Sequence, residues 1–248
     1  SYNRQMRLYY DAFRRAGVSV DVVFPQSDLT PYKVVVAPPL FVVDKPLVAK
    51  LTDFVKKGGT LVLNYRTGVK DESNVVTDQT LPGPLAELAG VAIHDFDPHT
   101  NQEQELLDGD GESHPARVWF DVLDPTTAES IANYNRGYYS GKSAATLNSF
   151  GQGKVIYIGT ELSKPASYSK LVGFLADGAG LTLGPNVPEG VELAVREKPG
   201  KKITFLINYT EKPQTVSLSG TFQNALTGAN EPAEVSLAPF DVKVLTTP

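Results

Sequence analysis

The stretch from Tyr32 to Tyr65, YKVVVAPPLFVVDKPLVAKLTDFVKKGGTLVLNY, constrains the chain more than any other. Val34 to Ala37 is a short unbroken apolar run, the pattern of a strand covered on both faces in a parallel sheet. Asp44 is placed to cap the helix that follows, Pro46 suits its first turn, and Lys56 and Lys57 complement the dipole at its end. Val48, Leu51 and Val55 recur at helical spacing and form a stripe that must face something apolar. Gly58 and Gly59 stop the helix, and Thr60 to Leu63 reads as a second buried strand. The stretch is therefore a βαβ unit, with two parallel strands joined by a right-handed crossover.

The flanks extend this pattern. Met6, Tyr9, Tyr10 and Phe13 predict an amphipathic helix over 3–16 ended by Gly17, with Arg4, Arg7, Arg14 and Arg15 on its other, solvated face. Val18 to Phe24 reads as a strand. Arg66 to Leu81 is polar and irregular, and loops of that length are usually functional or mobile. A short helix, Leu85 to Leu88, closes at Gly90, and Val91 to Phe96 follows as a strand. Asp97 to Pro115 reads as a second long polar loop. Between Asp95 and Asp124 there are nine acidic residues against one basic residue, Arg117. Strands are expected at Arg117 to Leu123, Glu129 to Tyr134, Ala144 to Phe150 and Val155 to Gly159, the last two as a hairpin around Gly151 to Gly153. Ser167 is expected to cap a helix over Tyr168 to Ala176.

Gly184 to Gly190 is the best linker. Beyond it, short alternating runs punctuated by glycine, proline and asparagine predict a small antiparallel β domain. The expected organisation is an α/β domain over 1–183, a linker over 184–190 and an antiparallel β-sandwich over 191–248. The chain opens at Ser1 inside a helical pattern, which reads as a piece of a longer protein.

Composition narrows the function. The formal net charge is -5 with no basic cluster, which argues against nucleic acid as a partner, and no apolar run approaches membrane-spanning length. Cysteine is absent, which removes disulfides, thiolate metal sites and cysteine nucleophiles, and fits a cytoplasmic location. No GxGxxG or GxxxxGK[ST] phosphate loop occurs, and no Gly-x-Ser-x-Gly elbow. No cofactor and no catalytic constellation is expected. His94, His99 and His114 lie near Asp95 and Asp97, residue types that suit zinc or manganese. Their spacing matches no compact ligand motif, so no metal site is assigned. Carboxylates such as Asp71 and Glu72 are adjacent loop residues and make no glycosidase pair.

Taken together, these motifs resemble the non-catalytic C-terminal part of family 42 β-galactosidases. The resemblance runs through YKVVVAP at 32–38, DFVKKGGTLVLNYRTGV at 53–69, LPGPL at 81–85, LAGV at 88–91, FGQGKV at 150–155, FLINY at 205–209 and LTG at 226–228. It implies a flavodoxin or class I glutamine-amidotransferase-like doubly wound sheet that assembles a homotrimer, followed by a small β domain. In such retaining enzymes, which hydrolyse terminal β-D-galactosides, a preceding barrel carries the two catalytic glutamates, so no catalytic residue carries over to this chain. The resemblance also implies a strand before the first helix, which this chain lacks, so a neighbouring chain or symmetric copy is expected to cover the sheet edge.

The leading expectation is an assembly module with Tyr65, Arg66 and Trp119 at its interface, since aromatic and arginine side chains anchor interfaces. Core packing is the competing role for Trp119. The alternative is a small-ligand or carbohydrate-binding module. An enzyme or small-ligand binder would use the strand-end cleft near Phe41, Tyr65 and the histidine-rich segment, and a carbohydrate binder would stack sugar on Tyr134, Tyr138 and Tyr139.

Overall fold

The computed structural model describes residues 2–98, 104–185 and 187–247. The chain resolves into two compact units, residues 1–7 with 23–171, and residues 8–22 with 172–248. An α/β unit followed by a small antiparallel β region is what forms.

In the first unit the βαβ expectation holds in detail. Strand β1 (Val34–Ala37), helix α2 (Lys45–Lys56) and strand β2 (Thr60–Asn64) follow helix α1, which spans Tyr2–Arg15. Strands β1 and β2 are parallel, with Val34 opposite Thr60. Asp44 caps α2 by accepting from the Leu47 amide at 2.8 Å. Leu51, Phe54 and Val55 bury the apolar stripe of α2. They join Leu61 and Leu63 of β2 in a core that also takes in Val155 and Tyr157. A 3-10 turn (Gly83–Leu85) leads into α3 (Ala86–Ala89), which Gly90 ends in the left-handed conformation.

Six further strands come next: β3 (Val91–Asp97), β4 (Gln104–Asp108), β5 (Ser113–Pro125), β6 (Glu129–Tyr134), β7 (Ser143–Phe150) and β8 (Gly153–Ile158). After them β9 (Thr160–Leu162) pairs with β5, and α4 (Pro165–Ala179) closes the series. The sheet order is β1-β2-β8-β7-β6-β4-β5-β3, with only β1, β2 and β8 parallel to one another. The doubly wound portion is thus confined to three strands, and an antiparallel extension carries the rest. Strand β1 lies at the sheet edge, and its four apolar residues are only half-buried.

Four local expectations are corrected. Residues 18–24 form no strand, because an extended segment becomes one only beside a hydrogen-bonding neighbour; Val22 and Phe24 stay exposed. The acidic segment Asp97 to Pro115 is no single loop. It contains β4 and the start of β5, paired from Gln104–Ala116 to Leu107–Ser113. Ser167 is not a cap, since α4 already begins at Pro165. The arginine face of α1 is not simply solvated, because Arg4 pairs with Glu161 and Arg14 with Glu192.

In the second unit, β10 (Val191–Lys198), β11 (Lys201–Asn208), β16 (Val242–Thr246), β13 (Phe222–Asn224) and β14 (Asn230–Glu231) form one antiparallel sheet. Strands β12 (Gln214–Ser217) and β15 (Glu234–Leu237) form a second. Leu193, Leu206 and Leu245 of the first sheet share a core with Val216, Val235 and Leu237 of the second. The predicted linker includes Asn186, which lies outside the described residues. No helix among the described residues is long and apolar enough to cross a membrane.

Candidate functional site

The carboxyl ends of β1 and β2 are held by side chains rather than left free. Asn64, the last residue of β2, donates to the Ala37 carbonyl at 3.0 Å and accepts from Gln5 at 3.2 Å. Thr67 donates back to the Asn64 carbonyl at 2.6 Å. This tight turn leaves Arg66 at φ 60, a left-handed conformation that costs a non-glycine residue energy.

Strand β5 is distorted opposite it. Its pairing with β9 shifts between Arg117 and Phe120, and Val118 sits at φ 81 within the shift. A bulge of this kind re-aims the neighbouring side chains. Here it presents Trp119, whose ring stacks on Phe96 with centroids 4.7 Å apart. The Arg66 guanidinium lies over the Trp119 ring at 4.4 Å and over the Phe41 ring at 4.6 Å. The result is a stacked cluster of Phe41, Arg66, Trp119 and Phe96.

Asp121 holds the stack in place from below. It is buried, and its Oδ1 accepts from the Trp119 indole at 2.6 Å. Its Oδ2 accepts from the Arg66 backbone N–H and from the Tyr157 hydroxyl, both at 3.0 Å. Burial raises the carboxyl to about 6 against these donors and the Arg66 charge. Burial lifts the Tyr157 hydroxyl well above the ordinary tyrosine range, and the Asp121 carboxylate adds to the rise.

Tyr65 is buried beside this group. Burial raises its hydroxyl, while the positive charges of Arg4, Arg66 and Arg117 oppose the rise. Arg4 and Arg117 converge on one oxygen of the fully buried Glu161, Arg117 through its Nε at 3.1 Å. The other Glu161 carboxylate oxygen, Oε2, is buried without a hydrogen-bond partner.

The structure therefore brings Arg66 and Trp119 into contact and places Tyr65 next to them. Trp119 belongs to a half-exposed stack rather than to the core. Reading residues one at a time missed Asp121, Glu161 and Arg4. The available signal was a lone carboxylate inside the apolar run Phe120 to Leu123.

The tyrosine and histidine readings fare differently. Tyr134 and Tyr139 are buried, packed edge to face at 4.9 Å, so neither ring is free to stack a sugar; Tyr138 is exposed. Asp95 and Asp97 accept from the hydroxyls of Tyr138 and Tyr139, each at 2.9 Å, and His94 on the same strand is exposed. His99 lies outside the described residues. His114 instead meets Asp108 through Nε2 at 3.0 Å and Ser167 through Nδ1 at 3.2 Å. Its ligand atoms and those of Asp108 and Glu112 are close enough to hold a metal ion. The Lys170 ammonium occupies that position, however, at 2.5 Å from Asp108 and 2.6 Å from Glu112. Burial pushes Asp108 up, but the bonds from Lys170 and His114 outweigh it and hold the carboxyl well below its usual range. A metal would have to displace a paired cation, so the cluster is an ionic tie between α4 and the β4–β5 turn.

Comparison with known proteins gives concordant matches. Residues 1–182 match the family described as "Beta-galactosidase trimerisation domain", and residues 190–247 match "Beta-galactosidase C-terminal domain". The chain is 32% identical over 244 residues to the β-galactosidase BgaA of Clostridium cellulovorans, covering 98% of this chain and 37% of that protein. It is 35% identical over 217 residues to the β-galactosidase BgaH of Haloferax lucentense, covering 88% of this chain and 32% of that one. The crystal structure of a β-galactosidase from Bacillus circulans sp. alkalophilus superposes with a TM-score of 0.93 at 27% identity, over 100% of this chain and 38% of its own. The chain thus spans about a third of the length of the curated relatives it matches.

Proposed function

Because the chain belongs to the family 42 β-galactosidases, through their trimerisation and C-terminal domains, we propose that it is the assembly portion of a β-galactosidase-type glycoside hydrolase. In this reading residues 1–183 form the trimerisation domain, 184–190 the linker and 191–248 the closing β domain. The parent protein hydrolyses terminal β-D-galactosides with retention, and its catalytic glutamates lie on a barrel outside this chain. The protein's partners are two further copies of itself and that barrel.

One observation supports the assembly role above the others. Arg66 and Trp119 are half-exposed, yet buried Asp121 holds the Trp119 indole and the Arg66 backbone N–H, and both side chains pack in a cluster with Phe41 and Phe96. Long side chains at a free surface normally keep their rotamer freedom. An arginine and a tryptophan already ordered at the surface lose little further entropy on docking, which is how interface anchors gain affinity.

Sedimentation velocity of the 248-residue chain tests the reading. Three-subunit particles at micromolar concentration are the expected result, with Trp119→Ala shifting mass toward the monomer. A chain that stays monomeric throughout the concentration range refutes the assembly role. Hydrolysis of a chromogenic galactoside by this chain alone refutes its non-catalytic part.

A further inference from the structure

Arg66 is half-buried, and its guanidinium makes no ion pair with the described residues. Two aromatic rings lie against it, Phe41 at 4.6 Å and Trp119 at 4.4 Å. Its Nε–H is buried without a hydrogen-bond partner. The nearest carboxylate cannot serve, because the oxygens of Asp121 are already taken by the Trp119 indole, the Arg66 backbone N–H and the Tyr157 hydroxyl. A guanidinium donates only in its own plane, and with Nε buried its two Nη groups form the two-pronged fork matched to a carboxylate. The surroundings favour an anion as well. Arg4, Arg66 and Arg117 all act on Tyr65, and the acidic groups among them are Asp121 and Glu161, both buried.

We propose that Arg66 is a built receptor for a carboxylate, and that an aspartate or glutamate of a second copy of this chain supplies it. This rests on the assembly reading and names the contact that assembly uses. The occupant follows from charge. The chain carries 28 acidic residues against 23 basic ones, and acids crowd the turn between β4 and β5. Asp110 in that turn lies 3.9 Å from the Lys170 ammonium yet keeps its side chain 88% exposed, and open space surrounds the flanking Gly109 and Gly111. A closed ring of identical subunits brings two different patches of the same surface together. A cation excess at the strand ends and a carboxylate excess elsewhere on one chain therefore suffice for a complementary contact.

The test is sedimentation velocity over a concentration series of the wild-type chain and Arg66→Lys, which keeps the charge but loses the fork. The expected loss in association constant is about tenfold or more. Sodium glutarate should dissociate the wild-type assembly further than sodium chloride at equal ionic strength, an arm that needs no variant to fold. An Arg66→Lys chain that assembles like wild type, with glutarate no better than chloride, overturns the inference and leaves the assembly reading standing. A wild-type chain that never associates overturns both. Glutarate that quenches Trp119 fluorescence without changing particle mass assigns the receptor to a free ligand, and overturns the second copy as its occupant.

Discussion

Asp121 and Trp119 make a built-in pH reporter, because the chain's single tryptophan donates its indole N–H to a buried carboxylate. Burial raises Asp121 from 3.8 to about 6. A carboxyl that binds its proton more tightly folded than unfolded adds stability below pH 3.8, and that contribution is lost as pH rises through 6. The separation of roughly 2 pH units is worth about 3 kcal/mol, at about 1.4 kcal/mol per unit. Trp119 emission should therefore titrate with a midpoint near 6, and urea stability should fall by up to about 3 kcal/mol between pH 4 and 7.5 from this group alone. Asp121→Asn keeps the shape and the acceptor for the indole, but cannot ionise. It also turns an N–H toward the Arg66 amide, which loses its acceptor at a cost of about 1–3 kcal/mol. The variant should thus be clearly weaker than wild type at pH 4, close to it at pH 7.5, and flat in fluorescence across that range. A wild-type emission that does not change between pH 4.5 and 7.5, or that changes identically in Asp121→Asn, would refute the assignment.

Other positions carry equally direct expectations. Phe240 is 63% exposed and held at φ 56, so Phe240→Gly should raise the unfolding free energy measured in urea by about 1 kcal/mol through relief of left-handed strain. At Gly68 an added Cβ would lie 2.1 Å from the Pro82 carbonyl oxygen on a backbone at φ 69, so Gly68→Ala should cost more than about 3 kcal/mol and show as lost soluble yield. Asp44→Ala removes the acceptor for the Leu47 amide and should lower stability by about 1 kcal/mol by urea denaturation, with the far-ultraviolet spectrum otherwise retained.

How much was readable in advance follows from what each signal depends on. The βαβ unit was legible because every determinant is local: the cap at Asp44, the helical stripe through Leu51 and Val55, and the stop at Gly58. The hairpin from β7 to β8 was legible for the same reason, its glycine turn lying between two apolar runs. Residues 18–24 mark the limit of this approach. The alternation of Val18, Val20 and Val22 is a sound strand pattern, but a strand is a property of two segments, and no partner lies within the run itself.

The site illustrates the same distinction at the level of side chains. Arg66 and Trp119 drew notice through residue type, yet what joins them is the geometry of β5. That strand runs for 13 residues, pairs with β3, β4, β7 and β9, and bulges where Trp119 must turn toward Arg66. Its beginning reads as loop, because Ser113 to Pro115 carries no apolar alternation and is ordered by pairing with β4. Asp121 stands out in the apolar run that follows. A lone buried carboxylate must find donors, and three of them come from Trp119, Arg66 and Tyr157, which only the folded sheet brings together. An isolated acid in a strand-like apolar run is thus a readable sign that a polar network exists, whereas the network's members are set by strand order. The tyrosines reverse the lesson: Tyr134, Tyr138 and Tyr139 look alike in a glycine-containing loop, but pairing of β6 with β4 sends Tyr134 into the core, and Tyr139 packs against it.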